Sequence, residues 1–380
     1  MIFDMFDYEF LKLCGLFRYM PVGLQKRYDA PFLSRSVISN LREHGLVKTQ
    51  SDRLSYKLTF EGRKILAEMG YNFPDDTRMD LKRPAYKRKL KNALWNISLY
   101  LAGIDIYSSK TKELAEMEIG YISFLTLRAD KNIRVLAGTR FLGILRIRDT
   151  VYIPYYLENE NDWIIPGYER EIFKAQIEAI QGIKEIRIIL TGNSLEELWA
   201  CIHPESETEK LSRGKKRFDA ALEELGYDYL LVPFNRDGVV QLGFLKSYRN
   251  RERLAKAIGC DTRPIRHLSE CDGVLENVPY IIAIDFQVNR IVRALKQIEL
   301  YDHTIVPKIC CLPFQKSAVF KLLQLHHCQK CVVITIDKNN IYDIFPEFKR
   351  NTTEQEPYMT KEGKYIDAVN KKNKKADVKE

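Results

Sequence analysis

LSRSVISNLREHGLVKTQSDRLSYKLT, residues 33–59, decides how the amino-terminal part of this chain folds. From Ser34 the apolar residues Val37, Ile38 and Leu41 recur at helical spacing, which predicts a short helix with one buried face. The remaining positions carry short polar or cationic side chains: Arg35, Ser36, Ser39, Asn40 and Arg42. His44-Gly45 is expected to end the helix, because glycine readily adopts the left-handed conformation that closes a helix C-terminus. Leu46-Val47-Lys48 then opens an extended run, and Ser51-Asp52-Arg53 turns it. Leu54 to Leu58 returns, with Leu54, Tyr56 and Leu58 predicted to alternate inward. Thr59 is placed to cap a further helix, Phe60 to Met69, that Gly70 stops.

Upstream, Phe6 to Tyr19 reads as a first helix with Phe10, Leu13, Cys14 and Phe17 on one face. Pro21 suits the first turn of a second short helix, PVGLQKRY, where its missing N–H is not needed. Asp29-Ala30-Pro31 breaks the chain before the third. Three helices, a basic hairpin and a capped helix give residues 1–70 the outline of a winged helix-turn-helix. In that arrangement one helix enters the major groove while the hairpin's cations meet flanking phosphates. Arg35, Ser36, Ser39 and Asn40 are then expected at base edges, and Arg42, Lys48, Arg53 and Lys57 at phosphates. The plainer alternative is a helix and hairpin packed as a structural module.

The chain's 380 residues suffice for two or three domains, and 45% hydrophobic with 29% charged residues suits packed cores. The net charge of +9 favours a polyanionic partner such as double-stranded DNA. No apolar run reaches the roughly eighteen residues needed to span a membrane. The start, MIFDMFDYEF, lacks the basic-then-apolar order of a secretory signal. Eight scattered cysteines are expected to be reduced thiols in a cytoplasmic protein.

Residues 71–119 begin as a Pro- and Asp-rich linker, YNFPDDTRMDLKRP, and pass into a basic segment containing Arg78, Lys82, Arg83, Lys87, Arg88, Lys89 and Lys91. From Ala85 the pattern is helical, with Leu90, Leu94, Ile97, Tyr100 and Leu101 on one face. Its cations form either a solvated face or an extension of the phosphate-contacting surface, and its stripe is a candidate homodimer contact for two half-sites.

Residues 120–348 alternate strands and helices, so an α/β domain with a mixed sheet is expected and the whole chain falls in the α+β or α/β class. RFLGILRIR and VYIPYYLEN read as a hairpin joined by Asp149-Thr150. A helix (Gly167 to Ile180), the strand EIRIIL, a helix (Leu195 to Ile202) and a charged helix (Arg213 to Leu225) follow. DYLLVPF and VVQLGFL read as a second hairpin, and Arg249 to Ile258 as a short basic helix. Then YIIAID, VNRIVRALKQIEL, TIVPKICCL, FQKSAVFKLLQL and CVVITID alternate strand with helix. Residues 349–380, polar and Lys-rich, are expected to be a disordered tail.

An enzymatic alternative is a Mg²⁺-dependent endonuclease of PD-(D/E)XK type, which needs two carboxylates for the metal and a nearby lysine. Asp149 with Glu158 has no such lysine, and Asp272 with Asp285 places Gln287 in its position. Cys328 and Cys331, beside His326 and His327 and one strand after Cys310 and Cys311, have zinc-like spacing. These cysteines open or occupy apolar strands, however, where thiols behave as small hydrophobes. No phosphate-binding GxxxxGK[ST] or GxGxxG is present. Gly192-Asn193-Ser194 fits a helix cap or an anion site, and Trp163 and Trp199 lack the pattern of a base-stacking platform. No catalytic residue, metal or cofactor is therefore assigned.

The amino-terminal module resembles the winged-helix domains of the replication-relaxation group, proteins carried on conjugative plasmids and integrative elements of Gram-positive bacteria. AGTRFLGILRIRDTVYIPYYLEN, ILTGNSLEEL and KICCLPFQKSAVFKLL resemble a branch in which a degraded PD-(D/E)XK-like α/β domain follows the winged helix. The resemblance implies a sequence-specific DNA-binding protein of a mobile genetic element. Its part would lie in plasmid or element replication, DNA relaxation at a transfer origin during conjugation, or transcription regulation. A relaxase or replication protein is the implied protein partner. Family catalytic residues do not carry over, because the metal-and-lysine pattern is missing here.

Overall fold

Helix α1 (Met5–Phe17) buries Phe10, Leu13, Cys14 and Phe17, the face that its apolar spacing marks. It opens on a capping box in which the Asp4 carboxylate accepts from Asp7 N–H and Asp7 accepts from Asp4 N–H. A computed structural model describes residues 4–71, 73, 80–107, 111–124, 126–127, 140–159, 162–177, 180, 182–204, 214–264, 266–328, 330–348, 358–359 and 365–366. The chain divides into two compact units, residues 1–97 with 350–380 and residues 98–349. The division falls at residue 97 rather than near 70 and 119.

In the first unit, strand β1 (Met20–Pro21) follows α1, then α2 (Leu24–Tyr28), a 3-10 turn (Pro31–Leu33) and α3 (Arg35–Glu43). Strands β2 (Val47–Thr49) and β3 (Ser55–Leu58) form a hairpin, and α4 (Phe60–Glu68) closes the series. The sheet is antiparallel with order β1-β3-β2. Pro21, expected in a helix, pairs instead with Ser55 at a sheet edge, where its missing N–H costs nothing, and the helix starts after Gly23. Ser34 caps α3 by accepting from Val37 N–H at 3.3 Å, and Thr59 caps α4 by accepting from Gly62 N–H at 3.1 Å.

The expected alternation of the hairpin is shifted. Leu54 sits in the turn and is 54% exposed, while Ser55 and Leu58 are buried and Tyr56 is half-buried. Buried Ser55 is satisfied by a 2.8 Å hydrogen bond with the Tyr86 hydroxyl. Tyr86 belongs to α5 (Pro84–Leu101), whose burial also departs from expectation. Trp95, Ile97 and Leu99 are buried alongside Asn92, Asn96 and Ser98, whereas Leu90, Leu94, Tyr100 and Leu101 are half-buried. Burial wraps the helix rather than following one stripe.

The second unit has two mixed sheets. After α6 (Thr111–Glu116), strands β4 (Ile119–Ser123), β5 (Gly143–Ile147) and β6 (Thr150–Tyr156) form an antiparallel meander. The short strand β7 (Trp163–Ile164) and helix α7 (Pro166–Ile177) lead to β8 (Glu185–Gly192), and α8 (Leu195–Ile202) follows. Strand β9 (Lys216–Arg217), which pairs with β7, and α9 (Phe218–Leu225) precede β10 (Asp228–Pro233). The five-stranded order is β10-β8-β6-β5-β4, with β10, β8 and β6 parallel. The β5–β6 turn is made by Arg148-Asp149, not Asp149-Thr150, because Thr150 already pairs with Ile147.

VVQLGFL is not a strand but part of α10 (Arg236–Lys246). Asn235 caps it, accepting from Asp237 N–H at 2.9 Å and Gly238 N–H at 3.1 Å. Val240, Leu242, Phe244 and Leu245 are all buried, and burial on several sides erases the amphipathic period that marks a helix in sequence. Helix α11 (Asn250–Ala257) leads to the second sheet, β11 (Gly273–Leu275), β12 (Val278–Ile282), β13 (Lys308–Cys311) and β14 (Val332–Thr335), in that order. The last three strands are parallel, linked by α12 (Val288–Tyr301) and α13 (Lys316–Leu325), and α14 (Lys338–Ile344) follows. The chain is thus a mixed α+β protein. Among the described residues no helix is long and apolar enough to cross a membrane. The tail expected to be disordered lies outside the described residues, apart from an antiparallel pairing of Tyr358–Met359 with Tyr365–Ile366.

Candidate nucleic-acid interface and a charged chamber

Helix α3 is sided by its own packing. Val37 and Leu41 are buried and Ile38 is half-buried, while Arg35, Ser36, Ser39 and Arg42 are exposed. Ser36 Oγ lies 2.9 Å from Oγ of the capping Ser34. Asn40 departs from the set expected at base edges. It is half-buried and donates its side-chain amide to Asp7 Oδ2 at 2.7 Å. Burial, foremost, raises the Asp7 pKa above its ordinary value, against the opposing bond from the Asp4 backbone.

The hairpin places its cations beside one another. Lys48 and Lys57 are direct cross-strand partners, so their side chains share a face at a separation where like charges repel. Lys48 and Arg53 are exposed. Lys57 is half-buried, with Nζ 5.2 Å from the Tyr19 ring centre, and Lys89 Nζ stands at the same distance from that ring. Arg53 takes a left-handed backbone, φ 59°, at the tip of the turn.

A second cluster stands in the second unit, where a cavity of about 440 Å³ opens between β8, β10, α11 and α12. Asp272, just before β11, accepts at Oδ2 from Ile282 N–H at 2.6 Å and from Arg290 Nη1 at 3.0 Å. Arg290 also donates to the Ile282 carbonyl and lies 3.8 Å from Asp285 Oδ1. Burial works against the Arg290 charge, but Asp272 and then Asp285 outweigh it and hold its pKa above the usual value. Arg251 sits 3.7 Å from both Asp272 and Asp285, and burial foremost, then the Arg290 charge, lowers its pKa. Gln241 donates to the carbonyls of Leu231 at 2.7 Å and Asp285 at 3.0 Å.

The structure therefore brings together Asp272, Asp285 and Gln287, the set that a nuclease would use, but with a different neutralising charge. Two guanidiniums stand against the carboxylates where that chemistry needs Mg²⁺, and an amide stands where it needs lysine. Arg251 and Arg290 were not legible as partners from sequence. The available signal was an arginine set among Val288, Ile291 and Val292 on the buried face of α12. The other nuclease pair is not assembled at all. Asp149 precedes β6 and Glu158 follows it, separated by a seven-residue strand of roughly 23 Å. Asp149 instead pairs with Lys184 at 3.2 Å.

Cys310 and Cys311 are buried within β13, and Cys328 and Cys331 direct their thiols to the carbonyls of His326 and Cys328 at 3.3 and 3.7 Å. Among the described residues no group of three or more His, Cys, Asp or Glu is arranged to hold a metal ion. Ser194 caps α8, accepting from Glu197 N–H at 3.1 Å, and Asn193 donates to the Glu197 carboxylate. Two cations stand over Trp163, Arg140 at 3.8 Å and Lys215 at 3.9 Å from its ring centre. Trp199 is buried against His203. No protein-family model, curated protein or solved structure matches the chain.

Proposed function

We propose that the first unit is a winged helix-turn-helix that binds double-stranded DNA with sequence specificity. Helix α3 lies in the major groove, with Arg35, Ser36 and Ser39 at base edges, and Arg42, Lys48, Arg53 and Lys57 at the phosphates. Asn40 is removed from the reading set, because its amide is committed to Asp7. The observation that carries the reading is the Lys48–Lys57 cross-strand pair. Like charges held opposite one another weaken a two-stranded hairpin, and a phosphate between them turns that repulsion into binding.

The biological setting is the one the resemblance implies: a cytoplasmic protein of a mobile genetic element, acting in replication, relaxation or gene control. A second copy and a relaxase or replication protein are its proposed protein partners. Selection of bound duplexes from a random pool tests the DNA reading directly. Enrichment of one motif supports it; recovery of the pool unchanged, with no affinity for any duplex at low salt, overturns it. Incubation with supercoiled plasmid and Mg²⁺ separates this reading from the nuclease, since cleavage lost in Asp285→Ala would assign the activity to the second unit.

A further inference from the structure

The charged chamber of the second unit carries hydrogen-bonding groups that the chain itself leaves unused. Arg251 is the plainest case. Its side chain is half-buried, 28% exposed toward the cavity, and the nearest oxygens of Asp272 and Asp285 stand at 3.7 Å, beyond bonding distance. A guanidinium offers five N–H donors, and the ion pairs of Arg251 among the described residues are these two long ones. Gln287 lines the same space, 1% exposed, and among the described residues neither its Oε1 nor Nε of Arg290 has a hydrogen-bond partner. Desolvating the Gln287 oxygen and the Arg290 nitrogen without replacement bonds is costly, which points to a missing bonding partner.

The lining decides what that partner can be. Five arginines and five carboxylates face the cavity, so its wall is close to neutral while its charges are locally separated. A bare anion or a bare cation would leave one set of these wall charges unmatched. A molecule of no net charge, with separated positive and negative groups, matches both signs. Among the described residues no aromatic side chain lines the cavity to stack a nucleobase. A volume of about 440 Å³ is ample for a small molecule.

We infer that this chamber binds a small zwitterion of the amino-acid class. Its carboxylate takes the N–H donors of Arg251, and its ammonium group faces Gln287 and the Asp272 carboxylate. The assignment is independent of the DNA reading, because every residue it uses belongs to the second unit.

Isothermal titration of the full chain with each common L-amino acid, and with inorganic phosphate and Mg²⁺ as singly signed probes, tests it. At least one amino acid is expected to bind saturably, at one site per chain and more tightly than either ion. Arg251→Gln should weaken that binding at least about tenfold, the factor one charge-assisted hydrogen bond supplies, and Gln287→Met should weaken it too. The inference is overturned if no amino acid binds, if phosphate or Mg²⁺ binds more tightly, or if amino-acid binding survives both substitutions. Should Arg251→Gln fail to fold, Gln287→Met and the wild-type comparison with the ions still decide the matter.

Discussion

Asn40 on α3 donates its side-chain amide to Oδ2 of Asp7 on α1 at 2.7 Å. The same oxygen accepts the Asp4 N–H at 3.3 Å, so one carboxylate closes the cap of α1 and ties α3 to it. The polar residue midway along α3 is thereby a fastening between helices, which leaves Arg35, Ser36 and Ser39 as the exposed positions the proposed groove contact would use. Asn40→Ala should lower stability by about 1–2 kcal/mol, read as a lower urea midpoint, with the preferred DNA motif unchanged. A changed motif would return Asn40 to the groove.

Lys48 and Lys57 face each other across β2 and β3, so the proposed DNA contact gives them opposite effects on the free and the bound protein. Lys48→Ala should raise the stability of the free chain by about 0.2–1 kcal/mol, because it removes a like-charge cross-strand pair. It should weaken binding to all duplexes alike and reduce the salt slope by about one unit. Melting curves paired with binding isotherms across a salt series give both signs from one variant. Loss of stability with no change in salt slope would argue against a phosphate contact.

Arg35→Ala should act differently. An exposed arginine at the start of α3 that grips one base is worth about 1–3 kcal/mol, and its loss relaxes specificity at that position alone. Competition between the selected duplex and single-base variants measures this. Uniform weakening across all variants would place Arg35 on the backbone instead.

Glu169 supplies a pH dependence of stability. It is fully buried, accepting from the Tyr155 hydroxyl at 2.8 Å and from Arg140 N–H at 3.2 Å. Burial pushes its pKa from 4.5 up to about 7, against the lowering effect of those bonds. The folded value lies above the unfolded one, so the stabilisation is fully present below about 4.5 and is lost as pH rises through about 7. The urea midpoint at about pH 8 should fall below that at about pH 5, by an amount on the order of 3 kcal/mol in free energy. Glu169→Gln should flatten this profile; an unaltered profile would assign the dependence to other groups.

Gly238 marks where the β10–α10 junction leaves no room. A Cβ there would stand 1.9 Å from the Pro233 carbonyl oxygen, so the backbone must move to admit alanine. Gly238→Ala should cost at least about 1–3 kcal/mol, seen as a lower melting temperature. Unchanged melting would mean that the cap at Asn235 can rearrange freely.

Elements held by short-range forces are the ones the sequence makes legible. Residues 5–70 announced α1, α3, α4 and the hairpin through local signals: Phe10, Leu13, Cys14 and Phe17 at helical spacing, Ser34 and Thr59 as caps, and Gly45 and Gly70 as stops. The strand–helix alternation from β12 to β14 was legible for the same reason. Pro21 was misplaced because its strand exists only by pairing with Ser55 in β3. Helix α10 was hidden because burial on several sides leaves no polar face to give its period away.

What the sequence determined by itself is the set of segments, since periodicity, caps and breakers act over a few residues and need no partner. The commitment of Asn40 to Asp7, the confrontation of Lys48 with Lys57, and the gathering of Asp272, Asp285, Arg251 and Arg290 into one ion-pair cluster arise only in the packed chain. Charges and amides act on whatever neighbour the packed chain supplies, and no spacing along the chain encodes which distant residue that will be.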